Sequence, residues 1–516
     1  MKITGGENKK DKDRLMFKKI LIANRGEIAV RVLKACREMG IESVAVYSDA
    51  DRESLHVQLA DEAVWIGPAP AVDSYLNIDA IMEAVHKTGA EAIHPGYGFL
   101  AENAVFSRRC EEENIVFIGP NSNAMELVGD KIRARKAMEK AGIPIIPGMK
   151  GVHKDVKDYV PEAEKIGYPV MIKASAGGGG KGMRIAFSAD ELIPALEAGM
   201  REAKAAFADE SVYLEKYIEE PRHVEFQVLA DNFGHAVHLF ERECSIQRRH
   251  QKIIEETPST ALDPELRLRM GETAVQVIKT AKYNNAGTVE FLLDKNKNFY
   301  FLEVNARLQV EHPVTELITG IDLVHHQIQI AAGQKLALKQ DKLKQKGHAI
   351  ECRIYAEDPV NNFLPSSGKI LLFREPSGPG IRHDCGIYSG WSVPIFYDPI
   401  LAKLIVWAEN RELCCRRIEK ALDSYVILGI QTGIEFLKDI IAHPSFRAGD
   451  TTTGFINQHL KDWKLKEKPL ELQRLAAIAA AYDELASCEE RSGSGPARKG
   501  MDSPWKTLGK WHIGGK

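Results

Sequence analysis

The first residues in this chain that suggest chemistry are two carboxylates and an amide. Residues 288–294 (TVEFLLD) and 299–304 (FYFLEV) read as strands joined by Lys295, Asn296, Lys297 and Asn298. If Asp294 and Phe299 close that turn, cross-strand partners sum to 593 and Glu290 stands opposite Glu303. Two like charges at ~5 Å repel by roughly 3 kcal/mol at an effective dielectric of ~20, and a divalent cation reverses the sign. Asn305 falls on the same face as Glu303. Glu290, Glu303 and Asn305 then form an all-oxygen ligand set of the kind that holds Mg²⁺ (or Mn²⁺) against nucleotide phosphates. The plain alternative is a solvated sheet face.

Continued as extended chain, the same face adds Arg307, Gln309 and Glu311. Pro313 biases His312 toward extended geometry, with a helix starting near Thr315. Arginine beside a metal suits a small oxyanion, and a nearby carboxylate can take its proton. Upstream, Gly177, Gly178, Gly179 and Gly180 lie between strand-like runs 168–174 and 183–187, bracketed by Lys173 and Lys181. Ser175 and Gly182 break the Walker A pattern. A glycine hairpin over nucleotide phosphates fits; the alternative is a flexible surface turn. Residues 248–252 (RRHQK) are strongly basic. Apolar flanks make them either solvated surface or a loop from a buried sheet that clamps anions.

These groups need elements to hold them. Runs 17–23 and 42–48 read as strands around a helix over 28–40, which opens a doubly wound, Rossmann-like domain to about residue 120. It lacks GxGxxG, which argues against a nicotinamide-dependent oxidoreductase. A helix is expected near 130–142, a strand-rich segment over 348–407 and helices to about 463. Residues 492–503 are rich in Gly, Ser and Pro and read as linker or tail. With 516 residues, 44% hydrophobic and 27% charged, the chain has material for several cores. A net charge of −3 gives no basic field for nucleic acid. No apolar run reaches membrane-spanning length. Eight scattered cysteines without CxxC spacing suggest a reducing compartment, so a cytoplasmic enzyme is expected.

At these residues the chain resembles the biotin carboxylases. The resemblance rests on ANRGEIAVRV (23–32), HPGYGFLAEN (94–103), GDK (129–131), KASAGGGGKGM (173–183), EKYIEEPRHVE (215–225), RRHQK (248–252), FLEVNARLQVEHPVTE (301–316) and ECRIYAEDP (351–359). It spans roughly 17–463 and implies a multidomain α/β (α+β) fold. A leader (1–16) precedes a Rossmann-like domain (17–130). An ATP-grasp domain (131–347) with a lid at about 145–217 follows, then a strand-rich C-terminal domain (348–465) and a helical extension with a flexible tail (466–516).

The same resemblance implies that ATP is held by Lys131, Lys173, Glu215, Lys216, Ile218, His223 and Gln247, with His250 nearby and Gly178, Gly179, Gly180 and Lys181 in the lid. Glu290, Glu303 and Asn305 match the metal site. Lys252, Arg307, Gln309, Val310 and Glu311 match the bicarbonate site. Glu311 matches the general base, and Arg353 the residue that steadies the biotin enolate. Family members that carry biotin use a lysine between methionines. The one internal Met-Lys here, Met149-Lys150, lacks the second Met. Biotin is therefore expected on a separate carrier protein, with the carboxyltransferase on another chain. The resemblance also implies a homodimer, with neither nucleic acid nor membrane as partner. The rivals are another ATP-grasp ligase, such as a carbamoyl-phosphate synthetase fragment, and a non-catalytic nucleotide-binding protein.

Overall fold

The computed structural model describes residues 16–492, except 150, 154, 176–182, 208, 250 and 467–469. The glycine loop from Gly177 to Lys181, His250 and nearly all of the expected leader lie outside the described residues. The chain divides into a unit ending at Trp463 and a second from Lys464.

The first strand, Lys19–Ile22, is flanked in a parallel sheet by Glu42–Ser48 and Ala92–His94, with Glu62–Gly67 and Val116–Phe117 at the edges. The helix Gly26–Glu38 follows the first strand directly, starting at Gly26 with φ +64, which favours glycine. Strand order reverses between Lys19–Ile22 and Ala92–His94, so a crevice opens beyond their carboxyl ends. Asn24 closes its floor by donating to the carbonyls of Pro95 and Tyr97, each at 2.7 Å.

The centre is an eight-stranded antiparallel sheet. Its order is Phe299–Asn305, Asn285–Leu293, Arg222–Ala230, Ala236–Arg248, Gln251–Thr257, His348–Tyr355, Ile400–Ala408 and Ile381–Cys385. The last three strands belong to the expected C-terminal domain. They continue the ATP-grasp sheet through pairs such as Glu255↔Glu351, so the boundary expected at 348 is crossed by ladder hydrogen bonds.

Within the expected lid, Val170–Ala174 pairs with Arg184–Ala186 and Val212–Lys216. This small sheet and the helices Tyr159–Ile166 and Ala189–Phe207 carry their own core of Tyr159, Ile172, Leu192, Leu196 and Leu214. A separate core gives the lobe independent cohesion. In the second unit, Leu470–Ser492 is a helix, with Leu472, Leu475, Ile478 and Tyr482 exposed. No described helix is long and apolar enough to cross a membrane.

Two expectations need correction. The turn of the Glu290 hairpin closes at Leu293↔Phe299, one residue short of the expected pair, because Asp294 turns back to accept from Lys297 N and Asn298. A bulge at Leu302 restores the sum of 593, so Glu290 does oppose Glu303. The chain also does not stay extended past Asn305. Residues 306–311 form a loop and turn, and the helix His312–Thr319 starts three residues earlier than expected, with Pro313 in its first turn. Proline fits there because the missing N–H has no helical partner to lose.

Candidate active site

A cavity of about 1560 Å³ lies between the lobe, the central sheet and the crevice of the first sheet. Lys131, Lys173, Glu215, Lys216, Ile218, His223, Gln247, Lys252, Glu290, Glu303, Asn305, Arg307, Gln309, Val310, Glu311 and Arg353 all line it. Every expected site residue that is described thus faces one space.

On the lobe side, Glu215 accepts from Lys173 Nζ at 2.6 Å and from Arg135 at 2.5 Å. Glu215 and Lys173 are one strand apart, so neighbouring strands pin the cation at the cavity wall. Lys216 turns its ammonium to the carbonyls of Gly167 (3.0 Å) and Tyr168 (2.7 Å). Asp130 caps the helix Lys131–Lys140, which sets Lys131 Nζ 3.6 Å from Glu303. Gln247 contacts His223 Nδ1 at 2.9 Å, and His223 Nε2 lies 3.0 Å from Glu290.

The opposite wall is a charge lattice. Lys252 Nζ reaches Glu225 (2.5 Å), Glu290 (2.7 Å) and Glu311 (2.8 Å). Burial alone would lower the Lys252 ammonium, but the three carboxylates hold it well above its ordinary value. Glu311 also accepts from Arg353 at 3.0 Å. Burial would raise Glu311, yet Lys252, Arg353 and Arg242 hold it well below the usual carboxylate range. Glu290 is likewise held low against burial by Lys252 and His223. Gln309 donates to Glu290 at 3.0 Å, Val310 O accepts from Lys403 at 3.0 Å, and Arg307 donates to Glu102 (2.9 Å) and Asn305 (3.0 Å).

Of the basic run, Arg248 ends one strand and Gln251 and Lys252 open its partner; Arg248 bonds Glu357 at 2.6 Å and lies over the Phe363 ring at 4.1 Å. The donor set proposed for a cation is oxygen-rich, with Glu290 and Glu303 directly opposed and Asn305 donating to Glu290 at 2.9 Å. Hard oxygen donors of this kind fit Mg²⁺ rather than a soft metal.

Sequence reasoning gave no role to Glu225, Arg242, Glu102, Arg135 or Glu255, nor to the apolar wall of Ile456 and Leu460. Arg242 is fully buried and satisfies its guanidinium on Glu225 (2.6 Å), Gln227 (2.8 Å), Thr315 (3.0 Å), Thr288 (3.1 Å) and Gln309 (3.3 Å). Arg242 and Glu225 are cross-strand partners, a signal hidden by an irregularity between His238 and Glu241.

Three family models match the chain. "Biotin carboxylase, N-terminal domain" covers 16–125, "Carbamoyl-phosphate synthase L chain, ATP binding domain" covers 130–339, and "Biotin carboxylase C-terminal domain" covers 351–458. The chain is 54% identical over 445 residues to a pyruvate carboxylase subunit of Methanothermobacter thermautotrophicus, covering 86% of this chain and 90% of that protein. It is 52% identical over 445 residues to biotin carboxylase 1 of Bacillus subtilis, covering 86% and 99%. Among solved structures it resembles the biotin carboxylase domain dimer of Hydrogenobacter thermophilus 2-oxoglutarate carboxylase, in complex with MgADP, ADP and bicarbonate. That match has a TM-score of 0.84 and 48% identity, over 88% of this chain and 100% of that one. The carbamoyl-phosphate synthase model covers only the ATP-binding middle, while both flanks match models specific to one family. The chain belongs to the biotin carboxylase family.

Proposed function

We propose that this protein is the ATP- and Mg²⁺-dependent biotin carboxylase of a biotin-dependent carboxylase, acting on biotin borne by a separate carrier protein. The observation that carries this reading is Glu311, held between Lys252 and Arg353 in the same cavity as Lys131, Lys173 and the opposed Glu290 and Glu303.

Without an anion, Lys252 and Arg353 neutralise Glu311 and keep it a weak base. Bicarbonate entering beside Lys252 and Arg307 competes for those cations, and Glu311 regains basicity as they turn to the anion. Glu311 takes the bicarbonate proton. The bicarbonate oxygen attacks the γ-phosphorus of ATP, the bond to the ADP oxygen breaks, and carboxyphosphate forms. Lys131 and Lys173 line the cavity where charge develops on the phosphoryl oxygens. Bound Mg²⁺ would neutralise phosphate charge, held by Glu290, Glu303 and Asn305. Carboxyphosphate splits into CO₂ and phosphate. Phosphate removes the ureido N–H proton of biotin, Arg353 steadies the resulting anion, and that anion attacks CO₂ to give carboxybiotin. Closure of the lobe over the cavity would shield the labile intermediate from water.

A carboxyltransferase on another chain would pass the carboxyl group to its acceptor, and we infer a homodimer working in the cytoplasm. The deciding experiment is bicarbonate-dependent ADP release with and without free biotin. Biotin should stimulate release only when Mg²⁺ and bicarbonate are present. Turnover indifferent to biotin would instead identify another ATP-grasp ligase.

A further inference from the structure

Behind the reacting wall lie two acids that the mechanism above does not use. Glu255 in Gln251–Thr257 and Glu351 in His348–Tyr355 are direct partners in the antiparallel ladder. Their side chains therefore share one face of the sheet, two residues along from Arg353. Both acids are completely buried. Glu255 accepts from Arg353 Nε at 2.6 Å through one oxygen. Its other oxygen has no hydrogen-bond partner among the described residues, and neither oxygen of Glu351 has one.

The charged groups around Glu351 are Lys403, Glu255, Arg353 and Glu311. Neither cation is free to serve it. Lys403 is engaged by Glu27 (3.1 Å) and Val310 O (3.0 Å), and Arg353 by Glu255 and Glu311. The strand neighbours of Glu351 on this face, Ala349 and Ile405, pack against Val314 and Ile318 of the helix His312–Thr319. An ionised carboxylate there would have neither a cation nor a donor, which is far costlier than a neutral acid. Two carboxylates can form no hydrogen bond with each other, whereas one proton between them supplies the missing donor.

We propose that Glu351 is a neutral carboxylic acid that donates its O–H to the free oxygen of Glu255, and so positions Arg353 through Glu255. The role at biotin rests on the function proposed above; the proton on Glu351 does not. With the O–H donated, Glu255 is an oriented anion, bound on one oxygen by Arg353 and on the other by Glu351. Burial pushes Glu351 well above the ordinary carboxyl range against the pull of Lys403, and Glu255 adds to the rise. Burial also pushes Glu255 up to about 7, against Arg353. Glu351 is thus a positioning residue acting through Glu255.

The test compares Glu351→Gln, which keeps a donor of the same shape, with Glu351→Leu, which removes it. The infrared difference spectrum of wild type against Glu351→Gln at neutral pH should show a protonated-carboxyl C=O band present only in the wild type. Glu351→Gln should keep biotin-dependent ADP release within about threefold of wild type. Glu351→Leu should lose about tenfold in kcat/KM for biotin, with KM for ATP unchanged. Absence of the band would overturn the proposal, as would a Gln variant that is as impaired as Leu or fails to fold, since either would show that a neutral donor does not suffice at this position. ADP release indifferent to biotin in the wild type would sink the proposed function, and the infrared band would still decide the protonation of Glu351 independently.

Discussion

Arg353 and Glu303 illustrate how differently two charged residues in one cavity are employed. Arg353 is buried and divides its guanidinium between Glu255 and Glu311, so its position is dictated by the carboxylates around it. Truncating it frees Glu311 from one of the two cations bonded to it and removes the group meant for the biotin anion. Arg353→Ala should therefore lower biotin-dependent turnover by about 10²–10³ while leaving nucleotide affinity near wild type, measured by steady-state kinetics beside ATP titration. Glu303 is half-exposed and its one ion pair among the described residues is a 3.6 Å contact with Lys131. It is therefore available to a cation in a way that Glu290, already engaged by Lys252, Asn305 and Gln309, is not. Glu303→Gln should raise the Mg²⁺ concentration needed for half-maximal ADP release and cut the rate at fixed Mg²⁺ by about 10²-fold. An unchanged Mg²⁺ titration would remove Glu303 from the metal site.

At the scale of elements, the lobe is attached where its incoming chain runs against its own edge strand. Gly148 bridges to Glu215, and Met149 N donates to Leu214 O at 3.0 Å. A Cβ on Gly148 would meet Leu214 O at 2.6 Å and Glu215 Cα at 3.2 Å, both backbone atoms that cannot swing aside. Gly148→Val should push this segment off the strand and displace Glu215, which holds Lys173. Overpacking of this kind costs about 1–3 kcal/mol, so KM for ATP should rise about tenfold with the main unfolding transition little changed. Kinetics and thermal unfolding of the same variant check both halves. The helix His312–Thr319 is an element of another kind. Glu311, the residue that precedes its first turn, lines the cavity, while Glu316 on a later turn accepts from Arg31 (2.9 Å) and Arg382 (2.7 Å).

Those bonds belong to the scale of the whole unit, where buried ion pairs tie its parts together. Lys403 meets Glu27 of the helix Gly26–Glu38, and Arg382 and Arg31 converge on Glu316. Gly386 lets the C-terminal strands approach that same helix, since a Cβ there would sit 2.6 Å from Glu27 N. Such pairs make stability depend on pH with a definite sign. Burial pushes His56 and His94 down to about 4, so the unfolded chain binds their protons first. Stability is thus lost as pH falls from about 6.5 to about 4. Burial would raise Asp51 and Glu256, but Arg25 holds Asp51 at about 2, and His348 and Arg411 hold Glu256 at about 2. Their depressed values contribute stability above about pH 4 that is lost as pH falls toward about 2. Glu351 and Glu255, raised by burial, slope the other way, so the histidine share is read directly: NMR titration should show His56 and His94 taking up protons only near about pH 4, and rings that titrate near 6.5 would mean that they are not buried neutral.

The opposition of Glu290 and Glu303 is legible in the chain because both lie on one hairpin, where a short turn and period-two alternation determine which residues face each other. Even there, the turn and the bulge at Leu302 each depart by one residue from the simple count, and the departures cancel at the site. The doubly wound opening, the strand-rich final third and the family blocks are likewise carried by local pattern. The loop 306–311 is not, because alternation past Asn305 is equally compatible with a strand and with the turn that the chain adopts. The partners of Lys252, Arg242 and Arg353 were beyond reach for a stronger reason. They sit 15 to 98 residues away in sequence, and segments so far apart can come together in many arrangements that local propensity does not distinguish. Only the assembled sheet, by burying these groups together where each charge needs a partner, decides that Glu255 faces Glu351 and that Glu311 lies between Lys252 and Arg353.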